Sequence, residues 1–253
     1  MKVTFLGTGT SQGVPVIACS CEVCISKDLH DKRLRTSIMI EEAGKCIVID
    51  TGPDFRQQML VTKVKHLDAI LFTHEHKDHI AGLDDIRAFN YFQQEPIDIY
   101  AEDRVQDAIK QEFSYIFAER QYPGVPQVNM ISINEEPFVI STLQFIPIRV
   151  MHMYLPVLGF RIKDFTYITD ANFISESEKE KIKGSKILVI NGLRQKSHLS
   201  HFTLDEAVQL IDEIAPEQGF ITHISHQLGL AKDVQKLLPP NIKLAYDGLT
   251  VEC

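Results

Sequence analysis

Thr73-His74-Glu75-His76-Lys77-Asp78-His79 decides how this chain is read. It directly follows residues 67–72, a short apolar run bounded by polar residues, which predicts a buried strand. The motif therefore stands at the C-terminal end of a strand and spills into a loop. Three imidazoles and a carboxylate within six residues make a dense set of metal donors. In extended backbone His74 and His76 project to the same face, because side chains alternate with period two, so they can grip one ion together. Asp78 and His79 lie past the turn, where they can reach a second ion. A solvated charged loop accounts for a lone histidine. It does not account for an H-x-H-x-D-H array closing an apolar run.

The array is similar to the signature of the metallo-β-lactamase superfamily, and the likeness runs over essentially the whole chain. The resemblance implies three further donors at strand ends, and all three are present in order. His152 follows the apolar run 143–150, Asp170 closes residues 165–169, and His223 closes residues 219–222. The ligand sets implied are His74, His76, His152 and Asp170 for one divalent ion, and Asp78, His79, Asp170 and His223 for the other. The fold implied is α/β, a four-layer αβ/βα sandwich with residues 1–253 in one domain, since the donors come from both halves.

Composition sets the bounds. The chain has 253 residues, 44% hydrophobic and 24% charged, ordinary for a globular protein with a substantial core. No apolar run approaches the ~20 residues of a membrane span. Met1-Lys2-Val3-Thr4-Phe5-Leu6-Gly7 reads as a first strand rather than a signal peptide, so a cytoplasmic protein is expected. A formal net charge of −8 argues against a general nucleic-acid surface, which needs clustered Lys and Arg.

Three of the five cysteines fall in Cys19-x-Cys21-x-x-Cys24. Close thiolates in a chain without a secretion signal point to metal rather than to a disulfide framework. A fourth donor is available in Thr222-His223-Ile224-Ser225-His226-Gln227: with His223 in the paired site, His226 is free, and Cys₃His is a closed structural zinc set. Cys46 reads as a core residue and Cys253 as incidental. Gly7-Thr8-Gly9-Thr10-Ser11-Gln12-Gly13 lacks the Lys-Ser/Thr pair of a P-loop and reads as a turn near the metals. The resemblance implies a strand-end Asp that supports the ligand loop, which makes Asp50 the candidate for that role, and Arg33 and Arg35 read as solvated charges.

Helices are predicted over residues 83–92, 102–117, 175–182, 203–214 and 228–238. Residues 34–41 and 45–50 form a hairpin around Glu42-Ala43-Gly44. Residues 128–133, 138–140, 143–150, 159–163 and 165–169 are predicted to build a second sheet.

Within the superfamily, the Cys₃ cluster, the His223/His226 pair, Ser200-His201-Phe202-Thr203 before a helix, and Tyr246-Asp247-Gly248 resemble the PhnP-like phosphodiesterases of phosphonate breakdown. The segment Asn191-Gly192-Leu193-Arg194 departs from the polar stretch of that branch. The resemblance implies hydrolysis of a small cyclic phosphodiester, such as phosphoribosyl 1,2-cyclic phosphate, by a hydroxide held between two ions. Those ions are Zn or Mn, and a separate structural Zn completes the set. His201 and Asp78 are the catalytic candidates, with His198 the local rival to His201. An RNA-processing nuclease, a thioester or lactone hydrolase, and a non-catalytic metal-containing module are the competing readings. The expected partners are a small phosphorylated substrate and a second copy of the chain in a homodimer, with neither membrane nor nucleic acid.

Overall fold

The computed structural model describes residues 1–253, and its first sheet grows from an N-terminal meander. Strands β1 (Lys2–Gly7), β2 (Ser37–Glu42) and β3 (Lys45–Ile49) pair antiparallel. Ala43 and Gly44 both take positive φ, 48° and 77°, the geometry that lets a two-residue turn follow the strand twist. Strands β4 (Ala69–Leu71), β5 (Ile97–Ala101) and β6 (Val128–Ser132) then add in parallel. The chain's last strand, Thr250–Glu252, returns to pair with β1.

The second sheet contains β7 (Phe138–Ile140), β8 (Leu143–His152), β9 (Leu155–Ile162), β10 (Phe165–Tyr167), β11 (Phe173–Ile174), β12 (Ile187–Asn191), β13 (Gln218–Thr222) and β14 (Ile242–Leu244). Strands β10, β12, β13 and β14 run parallel, so their C-terminal ends share one edge. The inner faces of the two sheets meet through Phe5, Ile38, Ile47 and Leu71 on one side and Phe145, Phe160, Tyr167 and Phe220 on the other. Helices complete the outer layers. After the short α1 (Glu22–Ile25), helix α2 (Phe55–Thr62) covers the first sheet. The short α3 (Lys77–Ile80) follows β4, and α4 (Arg87–Gln93) and α5 (Asp103–Glu112) pack beside α2. Helices α6 (Glu176–Ile182), α7 (Leu204–Ile214) and α8 (Ala231–Val234) cover the second sheet. This is the predicted four-layer sandwich. No helix is long and apolar enough to cross a membrane.

Several local readings are corrected. Residues 128–132 join the first sheet, parallel to β5, because Ile97–Ala101 offers a free edge before the chain crosses over. Helix 228–238 is broken: Gly229 sits at φ 111°, and only Ala231–Val234 is α-helical before a 3₁₀ turn at Gln235–Leu237. The predicted helix 102–117 stops at Glu112. Helix α2 has no counterpart in the sequence reading. Asp78 and His79 lie in helix α3, not in open loop.

Candidate metal centre

Three residues just past strand ends, Asp50 directly after β3, His223 directly after β13 and Asp170 three residues beyond β10, have positive φ: 66°, 53° and 54°. Left-handed backbone at a non-glycine residue costs on the order of 1 kcal/mol, and it persists where the surroundings enforce it, commonly at functional sites. Here it turns each side chain off its strand end toward one pocket.

Asp170 is the hub. Its Oδ1 lies 3.4 Å from His79 Nε2 and 3.2 Å from His223 Nε2, and its Oδ2 lies 3.9 Å from His74 Nε2. Asp78 Oδ2 is 3.2 Å from His79 Nε2 and 3.6 Å from His223 Nε2. The donor atoms of Asp78, His79, Asp170 and His223 are all within 4.8 Å of one another, as are those of His74, His76 and Asp170. His152 joins Asp170 and His201 in an adjoining triad, so the first predicted set is present but spread over two overlapping groups. Donors ~2.1 Å from one tetrahedral ion stand about 3.4 Å apart, close to these spacings.

The histidines are aimed. His79 Nδ1 bonds Asp50 Oδ2 at 2.7 Å, and His152 Nδ1 donates to the Ser200 carbonyl at 2.7 Å. A partner on Nδ1 leaves Nε2 bare toward the pocket, as a metal-binding imidazole needs. Nε2 of His74, His79 and His223 is buried with no hydrogen-bond partner, a costly arrangement unless a cation meets it. Asp50 is itself fixed by Thr73, whose N–H and hydroxyl donate to it at 2.9 and 2.8 Å. Gly52 permits the approach: a Cβ there would stand 2.1 Å from the Asp78 carbonyl.

Electrostatics point the same way. Burial, then the neighbouring His79, drives His74 well below its ordinary pKa. Burial opposes charge on Asp170, but His223 and His79 outweigh it and hold the carboxyl well below the usual range. Burial likewise opposes charge on His79, yet Asp78, Asp170 and Asp50 together keep it well above. A divalent cation supplies the positive charge these carboxylates otherwise draw from a protonated imidazole.

His201 lies between donors, its ring centroid 4.5 Å from His152, tilted, and 4.7 Å from His223, stacked. Helix α7 begins with a capping box, Thr203 and Glu206, and this fixes the loop before it. The Phe202 amide donates to the Ala171 carbonyl at 2.8 Å, and the Phe202 carbonyl accepts from Leu193 at 3.0 Å. His201 is thereby strapped over Asp170. Its Nδ1 is buried and unpartnered, and burial, with His223, pushes it down to about 3. His198 stands 5.2 Å from it, farther from the donors.

Sequence reasoning missed Asn191. Its Oδ1 accepts from the Ala171 amide at 2.7 Å and its Nδ2 donates to the Ala171 carbonyl at 2.9 Å, which clamps the segment that bears Asp170. The signal was its position at the end of a parallel strand beside β10. Arg33 corrects another reading. It is buried, not solvated, and its guanidinium donates to Thr8 Oγ1 at 2.7 Å, which donates in turn to Asp247 at 2.7 Å. Arg35 pairs with Asp54 at 3.1 Å. Cys46 is core, as read.

The structure brings Cys19, Cys21, Cys24 and His226 together in a second cluster. His226 Nδ1 lies 3.3 Å from Cys19 Sγ, 3.3 Å from Cys21 Sγ and 3.6 Å from Cys24 Sγ. With Zn–S ~2.3 Å and Zn–N ~2.1 Å, a tetrahedron has an S···N edge of about 3.6 Å, so the residues fit zinc. Helix α1 carries Cys24, and Cys21 is its N-cap. The Cys24 amide hydrogen bond, then His226, lowers Cys21 to about 6, whereas burial raises Cys24 to about 11.

Residues 45–224 match the β-lactamase superfamily domain, and the chain belongs to the metallo-β-lactamase superfamily, whose fold implies divalent metal ions. Within it, the structure superposes on a crystal structure of a diphosphatase from the PhnP family with TM-score 0.93 and 39% identity, covering 100% of this chain and 97% of that one. Zinc-bound PqqB from Methylobacterium extorquens shares the fold, with TM-score 0.83 at 19% identity and full coverage of both chains. A Porphyromonas gingivalis protein named octanoyltransferase is 42% identical over 252 residues, 98% of this chain and 51% of that protein. The chain spans about a third to a half of the length of the curated relatives it matches.

Proposed function

We propose that this hydrolase is a dinuclear metal-dependent phosphodiesterase acting on a small phosphate diester, with a cyclic ribose phosphodiester such as phosphoribosyl 1,2-cyclic phosphate as the leading substrate. One observation carries the reading: two histidine sets share the single carboxylate of Asp170, with the His201 ring stacked on His223 and tilted against His152. A shared carboxylate suits two ions ~3.5–4 Å apart, the spacing of two-metal hydrolases. The PhnP-family diphosphatase, alike over its whole length, supports phosphorus as the reacting centre.

When bound, two divalent ions supply Lewis acidity and a water-derived nucleophile at neutral pH. His74, His76 and His152 would hold one ion, Asp78, His79 and His223 the other, and Asp170 would serve both. Asp50 and Ser200 keep the imidazoles turned so that Nε2 meets the pocket. His201 is the group placed to hand a proton to the leaving alkoxide. It rests neutral, and a phosphate anion beside it favours its protonated form in the direction Asp170 already acts. The Cys19, Cys21, Cys24 and His226 set takes a structural zinc that ties the N-terminal loop to the His223 segment.

The assay is turnover of bis(p-nitrophenyl) phosphate and of a cyclic ribose phosphodiester by protein loaded with Zn or Mn, before and after chelation. Hydrolysis lost on chelation is expected. A loaded protein silent on every phosphodiester and diphosphate is a binding module, and the proposal fails. The name of the Porphyromonas gingivalis relative favours a second reading, acyl chemistry, which octanoyl-thioester cleavage by the same preparation tests.

A further inference from the structure

Arg33 is a buried cation that the metal chemistry does not use. It is 5% exposed, and it lines a cavity of about 370 Å³ between the segment before it, helix α8 and the residues around Tyr246. Its Nη1 donates to Thr8 Oγ1 at 2.7 Å and to the carbonyl of Ala245, whose two neighbours Leu244 and Tyr246 line the same cavity. Its Nε and Nη2 find no acceptor in the chain.

A buried cation normally ends on a carboxylate. The nearby carboxylates are taken. Asp31 accepts from Ser26 at 2.6 Å and from the Ala231 amide at 2.8 Å. Asp247 accepts from Thr8 at 2.7 Å and from the Leu34 amide at 2.6 Å. Both attract Arg33 without pairing to it, as does Asp28, and burial still pushes the guanidinium down to about 10. Lys232 and Lys243 line the cavity as well, and neither has a carboxylate partner. Asp28 is the acidic residue of the lining, and it is held by His30, whose amide and Nδ1 stand 2.9 and 3.0 Å from its Oδ1. No lining residue is a donor of either metal cluster.

We propose that this cavity binds a phosphate dianion, free or as the head of a small monoester, gripped by Nε and Nη2 of Arg33 and closed over by Lys232 and Lys243. The guanidinium fork matches two phosphate oxygens at once, and an unpaired fork in a cavity wall is preorganised for them. Arg33, Lys232 and Lys243 against Asp28 alone leave a positive balance that suits the charge of close to two on a phosphate monoester at neutral pH. The volume falls in the range of small-molecule sites, with space beyond the phosphate for a small organic group. The inference stands apart from the phosphodiesterase reading, because the cavity shares no residue with the metal centre.

Protection of the two lysines tests the site without interference from phosphate at the metals, whose donor sets contain no lysine. Zn-loaded protein is acetylated with an N-hydroxysuccinimide ester in inorganic phosphate, in ribose 5-phosphate, or in chloride of the same ionic strength, and labelling is read residue by residue by peptide mass spectrometry. Labelling of Lys232 and Lys243 is expected to slow several-fold at phosphate concentrations of about 1 mM or less, the range of a weak specific site, while exposed Lys236 is labelled equally in all three. Protection by both compounds assigns the site to the phosphate group itself, and protection by ribose 5-phosphate alone assigns it to a monoester. In Lys232→Ala, an exposed substitution, the concentration that half-protects Lys243 should rise about tenfold, the scale of one charge-assisted contact. Arg33→Lys keeps the charge and removes the fork, and it should abolish protection of both lysines. If that variant does not fold, the Lys232→Ala result decides. Labelling as fast in both phosphates as in chloride, or half-protection of Lys243 unmoved in Lys232→Ala, overturns the site.

Discussion

The Asp170 cluster draws its donors from the end of β8, from beyond the ends of β4, β10 and β13 and from helix α3, whereas the Cys19 cluster takes three of its four from one six-residue segment, Cys19 to Cys24, that runs from loop into helix α1. The first is embedded in a scaffold that exists for other reasons. Two sheets pack around Phe145, Phe160 and Phe220, and the donors are hung from their edges with Asp50, Ser200 and Asn191 as braces. The second has little apolar core of its own: Val14, Val23 and Cys24 are its buried residues. The contrast teaches that similar coordination chemistry serves different ends. Breaking the scaffolded cluster should cost function and spare the fold. Breaking the loop cluster should cost stability first, because an ion there replaces the hydrophobic core the loop lacks.

The largest expected effect is at Asp170. Asp170→Asn should lower kcat/KM on a phosphodiester by about a thousandfold or more, since several kcal/mol of charge stabilisation convert at about 1.4 kcal/mol per tenfold. Its thermal midpoint should stay within a few degrees of the parent, and a collapse of the fold would erase the distinction between the clusters. Next is His201→Ala, assayed on alkyl and nitrophenyl diesters. The alkyl ester should lose about a hundredfold, within the usual range for a general acid, and the nitrophenyl ester much less, because its leaving group needs little protonation. Equal, small losses on both remove His201 from the chemistry. Third is Asp50→Asn, which leaves every donor in place but weakens the partner of His79. A loss of about ten- to a hundredfold in metal affinity is expected by competition with a chelating dye, and wild-type affinity would contradict the bracing role. The smallest effect on turnover is at Cys21→Ser. It should remove one zinc per chain and lower the thermal midpoint by several degrees, at about 2–4 °C per kcal/mol for a chain of this size. An unchanged zinc count would dismiss the structural ion.

The two clusters also differ in how they read from sequence. Cys19, Cys21 and Cys24 announce themselves by spacing, and His74 to His79 do so by density at a strand end. Asp170 and His223 carry no local signal, and they come into view through the resemblance to a family. What stayed hidden was set by long-range packing. Whether residues 128–132 join the first or second sheet depends on which edge is open, and no local pattern records that. Helix α2 has a weakly segregated sequence, Phe55-Arg56-Gln57-Gln58-Met59-Leu60-Val61-Thr62, so periodicity passes over it. Arg33 reads as solvent-exposed because arginines usually are. Its burial follows from the Thr8–Asp247 pairing, which joins the two ends of the chain. Asn191 was noticed only as a departure from a pattern, and its function as a clamp on Ala171 needed coordinates.

The proposed chemistry turns on one carboxylate, Asp170, serving two ions. Anomalous diffraction from crystals grown without chelator, recorded on both sides of the zinc and manganese absorption edges, tests it most directly. Two peaks about 3.5–4 Å apart are expected flanking Asp170, with His74, His76 and His152 on one and Asp78, His79 and His223 on the other, and a third isolated peak at His226. An empty pocket, or a single ion held without Asp170, would contradict it.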